Sequence, residues 1–311
     1  MNLGQIKNKR ILIAPLNWGF GHVARCIPLI RILKENDNEV IIAADRIQQQ
    51  IFLCYFPKIK IINHQGYPFQ FSKRGYFSLD LAKAYFKLKR RMEQERLEVD
   101  LLCNIHNIDI TISDHRYGFK TKNCYSIFIT HQLNFPLKWY EKWAQRIHVK
   151  SMRQFDKVWV PDYENSEIAG ELSVNNFEIN TEYIGPLSRF SESNRNPNEK
   201  SGVTLIVSGN EIHASQFLDE QRKINQGKKI TIILPASLNH LDFCHEFNVI
   251  PSENWLVCDE IILNSSKIIS RSGYSTLMDL YFLKIPFSIT PTPNQPEQEY
   301  LYRYWSKKVN S

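Results

Sequence analysis

The chain has 311 residues, 43% of them hydrophobic, enough for one large or two medium cores. No run of about 18 apolar residues is present, which excludes a bilayer-spanning helix, and the apolar run Ile11 to Leu16 is too short for a signal sequence. The net charge of +7 lies wholly in the first part: residues 1–186 carry 26 Lys and Arg against 19 Asp and Glu, whereas residues 187–311 carry 13 of each. A face of the first part is therefore expected to meet an anionic surface or substrate. The six cysteines lie far apart with no C-x-x-C pair, so buried free thiols in a reducing, cytoplasmic compartment are expected.

In chain order, Arg10 to Leu16 reads as a buried parallel strand, followed by the turn Asn17-Trp18-Gly19-Phe20-Gly21-His22 and a helix from Val23 to Glu35. Strands are expected at Glu39 to Ala44 and Lys58 to Ile62. A helix is expected over Ser78 to Leu97, with Leu81, Tyr85, Leu88 and Met92 on one stripe. Further strands are expected at Asp109 to Ser113, Tyr125 to Thr130, Lys157 to Val160 and Tyr183-Ile184, with a helix over Phe135 to Phe155. Ser188 to Gly202 is polar and aperiodic, as a linker would be. A second series follows, with strands at Val203 to Val207, Lys229 to Leu234, Asn254 to Cys258, Lys267 to Ile269 and Phe287 to Thr290. Such alternation predicts an α/β chain of two doubly wound, Rossmann-like domains, 1–187 and 203–311, joined by residues 188–202.

The stretch Lys267 to Tyr300 holds the strongest chemical signal. A strand, a Gly/Ser turn, a helix carrying Leu277, Leu280 and Tyr281, and a second strand make a βαβ unit. Its turn opens onto a helix N-terminus, where free N–H groups favour a phosphate. Arg271 would add a cation, and Ser272, Ser275 and Thr276 beside Gly273 would add hydroxyl donors. Asp279, a turn later, suits a sugar hydroxyl, so the set fits a nucleotide. In the loop Pro293 to Tyr300, Gln295, Glu297 and Gln298 could bond sugar hydroxyls; a polar helix start accounts for them equally well.

In the first part, the G-x-G-H turn is not the dinucleotide fingerprint. Gly19 and Gly21 allow close backbone approach, and a neutral His22 could take a proton from a hydroxyl. Asp114 and His131, with Gln132 beside it, each follow a strand and should share the carboxyl-end face with His22. Taken singly, a turn-forming aspartate and a satisfied loop histidine are the favoured readings; together the residues point to a site. Arg189, after Gly185-Pro186, could reach a diphosphate or be an ordinary solvated arginine. No D-x-D occurs and no His/Asp cluster has metal spacing, so chemistry without a bound metal is expected. Lys138, Lys142, Arg146 and Lys150 recur beside Trp139, Trp143 and Ile147, and Lys83, Lys87, Lys89, Arg90 and Arg91 form a second basic helix. Residues 83–91 and 138–153 could thus lie on anionic lipid, although a helix with its apolar stripe in the core is the commoner outcome. No recognised DNA or RNA motif is present, and no nucleic-acid partner is expected.

The segments APLNWGFGHVARCIPLIR, SDHRYG, FITHQLN, YIGPLSRF and SRSGYSTLMDL followed by PTPNQPEQEYL run in order from Ile11 to Leu301. Together they resemble GT-B glycosyltransferases similar to the peptidoglycan UDP-N-acetylglucosamine transferase group (family 28-like), and more closely a set of uncharacterised bacterial glycosyltransferases. The resemblance implies two Rossmann-like domains facing across a cleft, acceptor on the first and UDP-sugar on the second, with no cofactor beyond the donor substrate. By position, Asp279 would hold the ribose, Ser272 to Thr276 the nucleotide and diphosphate, and Gln295, Glu297 and Gln298 the donor sugar. Arg189 matches a hinge arginine near the diphosphate, His22 the Gly-loop histidine and His131 an acceptor-side histidine. Ser208 and Gly209 fall in the loop after Val207, which is only partly like the family's Gly- or Pro-rich one. Relatives also continue beyond the position of Ser311 with further helices, so the second domain is expected to be shortened.

The implied activity is inverting transfer from a UDP-sugar to a hydroxyl acceptor; the basic first part suggests a lipid-linked or cell-envelope saccharide as that acceptor, met at the inner face of the cell membrane. A non-hydrolysing UDP-sugar 2-epimerase and a turnover-deficient nucleotide-sugar-binding protein are the alternatives, because fold does not fix function.

Overall fold

The computed structural model describes residues 2–68, 77–136, 142–190, 202–238 and 247–309, with the side chains of 77–82 left out. The chain divides into two compact units, the first ending at Arg189 and the second beginning at Phe190.

The first unit is a seven-stranded parallel sheet in the order β3-β2-β1-β4-β5-β6-β7. Its strands are β1 (Arg10–Pro15), β2 (Glu39–Ala44), β3 (Lys60–Asn63), β4 (Ile110–Asp114), β5 (Tyr125–Ile129), β6 (Lys157–Val160) and β7 (Thr181–Tyr183). β1 and β2 are near-continuous apolar runs, and the middle strand β4 is buried along its whole length with Thr111, Ser113 and Asp114 in it, as expected of a parallel sheet covered on both faces. The helices are α1 (Phe20–Glu35), α2 (Arg46–Tyr55), α3 (Phe77–His106) and α4 (Lys142–Met152).

The second unit is a five-stranded parallel sheet ordered β10-β9-β8-β11-β12. It contains β8 (Val203–Ile206), α5 (Glu211–Ile224), β9 (Ile230–Leu234), β10 (Asn248–Pro251), α6 (Trp255–Asn264), β11 (Lys267–Arg271), α7 (Tyr274–Leu283), β12 (Phe287–Thr290) and α8 (Pro296–Val309). In each sheet the strand order reverses once, between β1 and β4 and between β8 and β11, and a crevice opens there beyond the carboxyl ends.

Several expectations are corrected. Asn254 to Cys258, expected as a strand, begins α6, whose Cys258 and Ile262 are buried one turn apart. A short apolar run fits either element, and β10, beside β9, takes the edge position instead. Helix α2 was not anticipated, although Asp45 caps it by accepting from Ile47 N and Gln48 N at 3.1 and 3.0 Å while Gln48 Oε1 accepts from Asp45 N at 3.3 Å. In α3 the stripe holds at Leu88, which is buried, but Tyr85 is 39% exposed, and Leu81 lies outside the described side chains. The expected linker begins with buried residues, Ser188 and Phe190, and its residues 191–201 lie outside the described residues. Among the described cysteines Cys54 is exposed, against the expectation of buried thiols.

The SDHRYG segment explains its own glycine. A Cβ on Gly118 would lie 2.5 Å from Met92 O and 2.7 Å from Glu95 Oε2, so α3 packs directly on this backbone. Beneath it Arg116 Nε donates to Glu95 Oε1 at 2.7 Å, and Tyr67 Oη donates to Glu95 Oε2 at 2.5 Å, a buried charge pair with its remaining lone pairs satisfied.

Candidate active site

In the first unit β1 and β4 lie side by side with Pro15 opposite Asp114, and Asp114 ends β4 at the switch point. Helix α1 starts just after β1, so its first turn faces that carboxylate. Gly19 precedes the helix and is exposed, whereas Gly21 is its second residue rather than part of a turn. His22 sits one residue later with its side chain 20% exposed, and its Nδ1 lies 3.2 Å from Asp114 Oδ2.

Arg25, one turn further along α1, is the centre of the cluster and was absent from the expected set. Its Nε donates to Asp114 Oδ2 at 2.8 Å and its Nη2 to Asp114 Oδ1, while both side chains are buried. The same Nη2 lies 2.7 Å from His22 Nδ1, and Nη1 lies 3.3 Å from His131 Nδ1. Three of the expected residues, His22, Asp114 and His131, are thereby brought together through a fourth.

Electrostatics set the protonation states. Burial alone would raise the Asp114 carboxyl, but Arg25 and then His22 outweigh it and hold it well below the usual carboxylate range. Burial and then Arg25 lower His22, against the opposing pull of Asp114, so the ring is neutral near pH 7. A guanidinium has no acceptor, so its bond to His22 Nδ1 requires a lone pair there and a proton on Nε2. The Asp114 bond requires the reverse, Nδ1–H, which leaves the Nε2 lone pair for an incoming proton. The two cannot hold at once.

Behind this cluster lies a second layer not foreseen from the sequence. Gln132 is buried, and its carbonyl accepts from His148 Nε2 at 2.6 Å; Tyr117 Oη donates to His148 Nδ1 at 2.6 Å. His115, at φ 61°, stacks on His148 with ring centres 6.1 Å apart. Burial pushes His148 down to about 4 and His115 well below its ordinary value.

The second unit gathers most of the other expected residues at its own switch point. Ser208 and Gly209 follow β8, both exposed, with Gly209 at φ 109°. Ser272 and Gly273 follow the adjacent β11 and lead into α7. Ser275 and Thr276 lie half-buried in its first turn and Asp279 is buried one turn on. Ser272 Oγ donates to Gln298 O at 2.8 Å, Thr292 N to Gln298 Oε1 at 2.9 Å, and Gln298 Nε2 to Gln295 Oε1 at 2.8 Å. Gln295 and Gln298 thus tie the end of β12 to the β11–α7 turn. Glu297 and Gln298 lie in the first turn of α8, the polar helix start that was the alternative to a loop.

Arg271 differs from its expected role. It is buried, with Nη1 donating to Pro291 O at 2.7 Å and Nη2 to His213 O at 3.0 Å, and it lies 4.3 Å from the centre of the Phe217 ring. The guanidinium pins two backbone segments instead of standing open to a phosphate. Arg189 ends the first unit, where its carbonyl accepts from Arg31 Nη1 at 3.0 Å. Among the described residues no group of three or more His, Cys, Asp or Glu is placed to hold a metal ion, and no helix is long and apolar enough to cross a membrane.

No protein-family model matches the chain, and no curated protein matches it in sequence. Solved structures do resemble it. The glycotransferase of kitacinnamycin is 13% identical with a TM-score of 0.60, over 95% of this chain and 84% of that one. The Streptomyces sp. SF2575 glycosyltransferase SsfS6, complexed with thymidine diphosphate, is 12% identical with a TM-score of 0.57, over 96% and 86%. UDP-GlcNAc 2-epimerase from Neisseria meningitidis, bound to UDP-GlcNAc, is 12% identical with a TM-score of 0.57, over 97% and 91%. At such identities the likeness is one of architecture, and with its two parallel α/β sheets this chain has the GT-B fold.

Proposed function

We propose that the protein is an inverting glycosyltransferase that moves a sugar from a UDP-sugar to a hydroxyl acceptor without a bound metal. The observation that carries this is the His22–Asp114 contact at the switch point of the first sheet. With Nδ1–H donated to Asp114, His22 Nε2 takes the acceptor's hydroxyl proton. The acceptor oxygen then forms its bond to the sugar C1 as the C1–O bond to the diphosphate breaks, and UDP leaves with the electron pair. Asp114 keeps the ring oriented and stabilises the imidazolium that forms. His131, Gln132 and the Gly19–Gly21 segment are assigned to the acceptor side.

The donor is assigned to the second unit. Ser208, Gly209, Ser272, Gly273, Ser275 and Thr276 would serve the phosphates, and Asp279 the ribose. Gln295, Glu297 and Gln298 would serve the sugar, Arg189 would approach the diphosphate, and Arg271 would hold the site's walls. Calorimetry with UDP, ADP and GDP tests this: UDP should bind best, and Asp279→Ala should weaken it at least tenfold, a loss of about 1.4 kcal/mol. Equal binding by the variant removes Asp279 from the site. Product analysis with donor alone separates the second reading, suggested by the likeness to the 2-epimerase, because only an epimerase converts a UDP-sugar with no acceptor.

A lipid-linked or cell-envelope saccharide of a bacterium is the proposed acceptor class, met at the cytoplasmic face of the membrane. In α4, Trp143 and Ile147 are 49% and 42% exposed beside exposed Lys142, Arg146 and Lys150, while His148, Val149 and Met152 form the buried face. Both stripes are thus open, an arrangement that suits an anionic interface. In α3, Lys83, Lys87, Lys89 and Arg90 are exposed around Phe86, but Arg91 is buried against Glu98; Lys138 and Trp139 lie outside the described residues. Flotation with phosphatidylglycerol vesicles should retain the protein at low salt, and Trp143→Ser with Ile147→Ser should release it. Retention unchanged by both would exclude α4 as the contact.

A further inference from the structure

At the opposite edge of the first sheet, away from the carboxyl ends, lies a cavity of about 370 Å³ lined by Arg96, Lys120, Thr121, Lys122 and Gln154. Three of its five lining residues are cationic and none is acidic. It belongs to three elements: Arg96 comes from α3, Lys120 to Lys122 from the connection entering β5, and Gln154 from the turn between α4 and β6. Strands in a parallel sheet share one direction, so this is the amino edge, remote from the His22 cluster.

Lys120 is the unusual member. Its residue is 7% exposed, yet its ammonium donates to the neutral amide of Gln154 and lies 5.3 Å from the centre of the Phe155 ring. No carboxylate among the described residues forms an ion pair with it. The neighbouring acids have other partners: Asp100, at the cavity wall, accepts from the hydroxyl of the lining residue Thr121, and Asp156 accepts from Ser126 N at 2.7 Å. Burial and then Arg96 push Lys120 down to about 8. A buried ammonium normally has a counter-charge, and holding a second cation beside it raises the cost.

We propose that this cavity is an anion site that takes a phosphate group, with Lys120 as the buried anchor and Arg96 and Lys122 closing on the phosphate from the rim. A phosphate supplies the missing counter-charge and accepts from all three side chains, and Arg96 suits its oxygens in a forked arrangement. The volume falls at the low end of the range of small-molecule pockets and takes a phosphate with a small group attached to it. The site is independent of the glycosyl-transfer reading and stands or falls without it.

Inorganic pyrophosphate and phosphatidylglycerol vesicles are the probes, with the Lys120 side chain followed by NMR. On the full chain, pyrophosphate should move the Lys120 resonance and raise its titration midpoint from about 8. Arg96→Gln with Lys122→Gln, both exposed positions, should weaken that response at least tenfold without altering the fold. If the double variant also loses vesicle retention, the phosphate is a lipid headgroup; if only the pyrophosphate response falls, it belongs to a soluble ligand. A Lys120 resonance unmoved by either probe, or a response equal in the double variant, overturns the proposal. Because the readout is Lys120 itself, binding of pyrophosphate in the second unit does not imitate it.

Discussion

An Asp114→Ala protein is expected to lose about 3–5 kcal/mol of folding stability, because the change leaves the buried Arg25 guanidinium without its counter-charge. Asp114→Asn keeps the shape but not the charge and should cost a similar amount. Replacing both partners with apolar residues, Arg25→Met with Asp114→Leu, should restore most of the stability, since buried pairs of this kind often exchange for packed side chains at little net cost. Turnover should not return with it. On the proposed mechanism the double variant has no group to orient His22, and sugar transfer should stay about 10²–10⁴-fold below the wild type, as for His22→Ala. Urea denaturation beside a single-turnover assay separates the two effects. Transfer at wild-type rate in either His22→Ala or the double variant would sink the base assignment, whatever the stability.

Acid should unfold the protein early, and histidines rather than carboxylates should drive it. His22, His115 and His148 are all held below the ordinary histidine value near 6.5, each chiefly by burial. For a group depressed in the folded state, stability is complete above the unfolded value and falls as the pH drops below it, because the unfolded chain takes protons that the folded one refuses. His148 loses stability from about pH 6.5 down to its folded value of about 4, a total of about 3 kcal/mol. His115, lowered further by His22, His148 and Arg25 against the opposing pull of Asp114, keeps losing over a wider span. Asp114 contributes nothing in that window, since its own loss begins only near pH 3.9. Against a typical total of about 5–15 kcal/mol, these losses are large. Urea midpoints at pH 7.5, 6 and 5 should fall steadily, and His148→Asn should flatten the slope. A midpoint unchanged between pH 7.5 and 5 would show that these rings are not held neutral.

The two parallel sheets were legible because buried strands announce themselves as apolar runs between turns, as in Arg10 to Pro15 and Glu39 to Ala44. Residues adjoining such strands were legible too: His22, Asp114 and His131 were picked for their place beside strand ends, and the structure joins them. Arg25 was not, because it lies inside a helix; its only signal was the i, i+3 spacing from His22, which puts both on one face. His148 was hidden for the opposite reason, inside a basic and aromatic helix where lysine and tryptophan drew the eye. Arg271 was recognised as a cation beside the nucleotide-like turn, but its acceptors, Pro291 O and His213 O, come from distant segments that no local pattern connects. The short run that became α6 failed for want of length, since a few apolar residues fit either period.

The bonds from Ser272 to the Gln298 backbone, and from Gln298 to Thr292 and Gln295, make two loops of the second unit behave as one mechanical part. Whatever ligand that end accepts, its recognition at the two loops cannot be adjusted independently. A substitution at Gln298 meant to admit a different group would also release the Thr292 amide and Gln295, and so loosen the segment whose backbone carbonyl holds Ser272. Altering specificity here therefore calls for grafting the β11–α7 turn and the start of α8 together, and isolated single changes should fail more often in this loop than at Ser208 and Gly209, which stand exposed on their own turn.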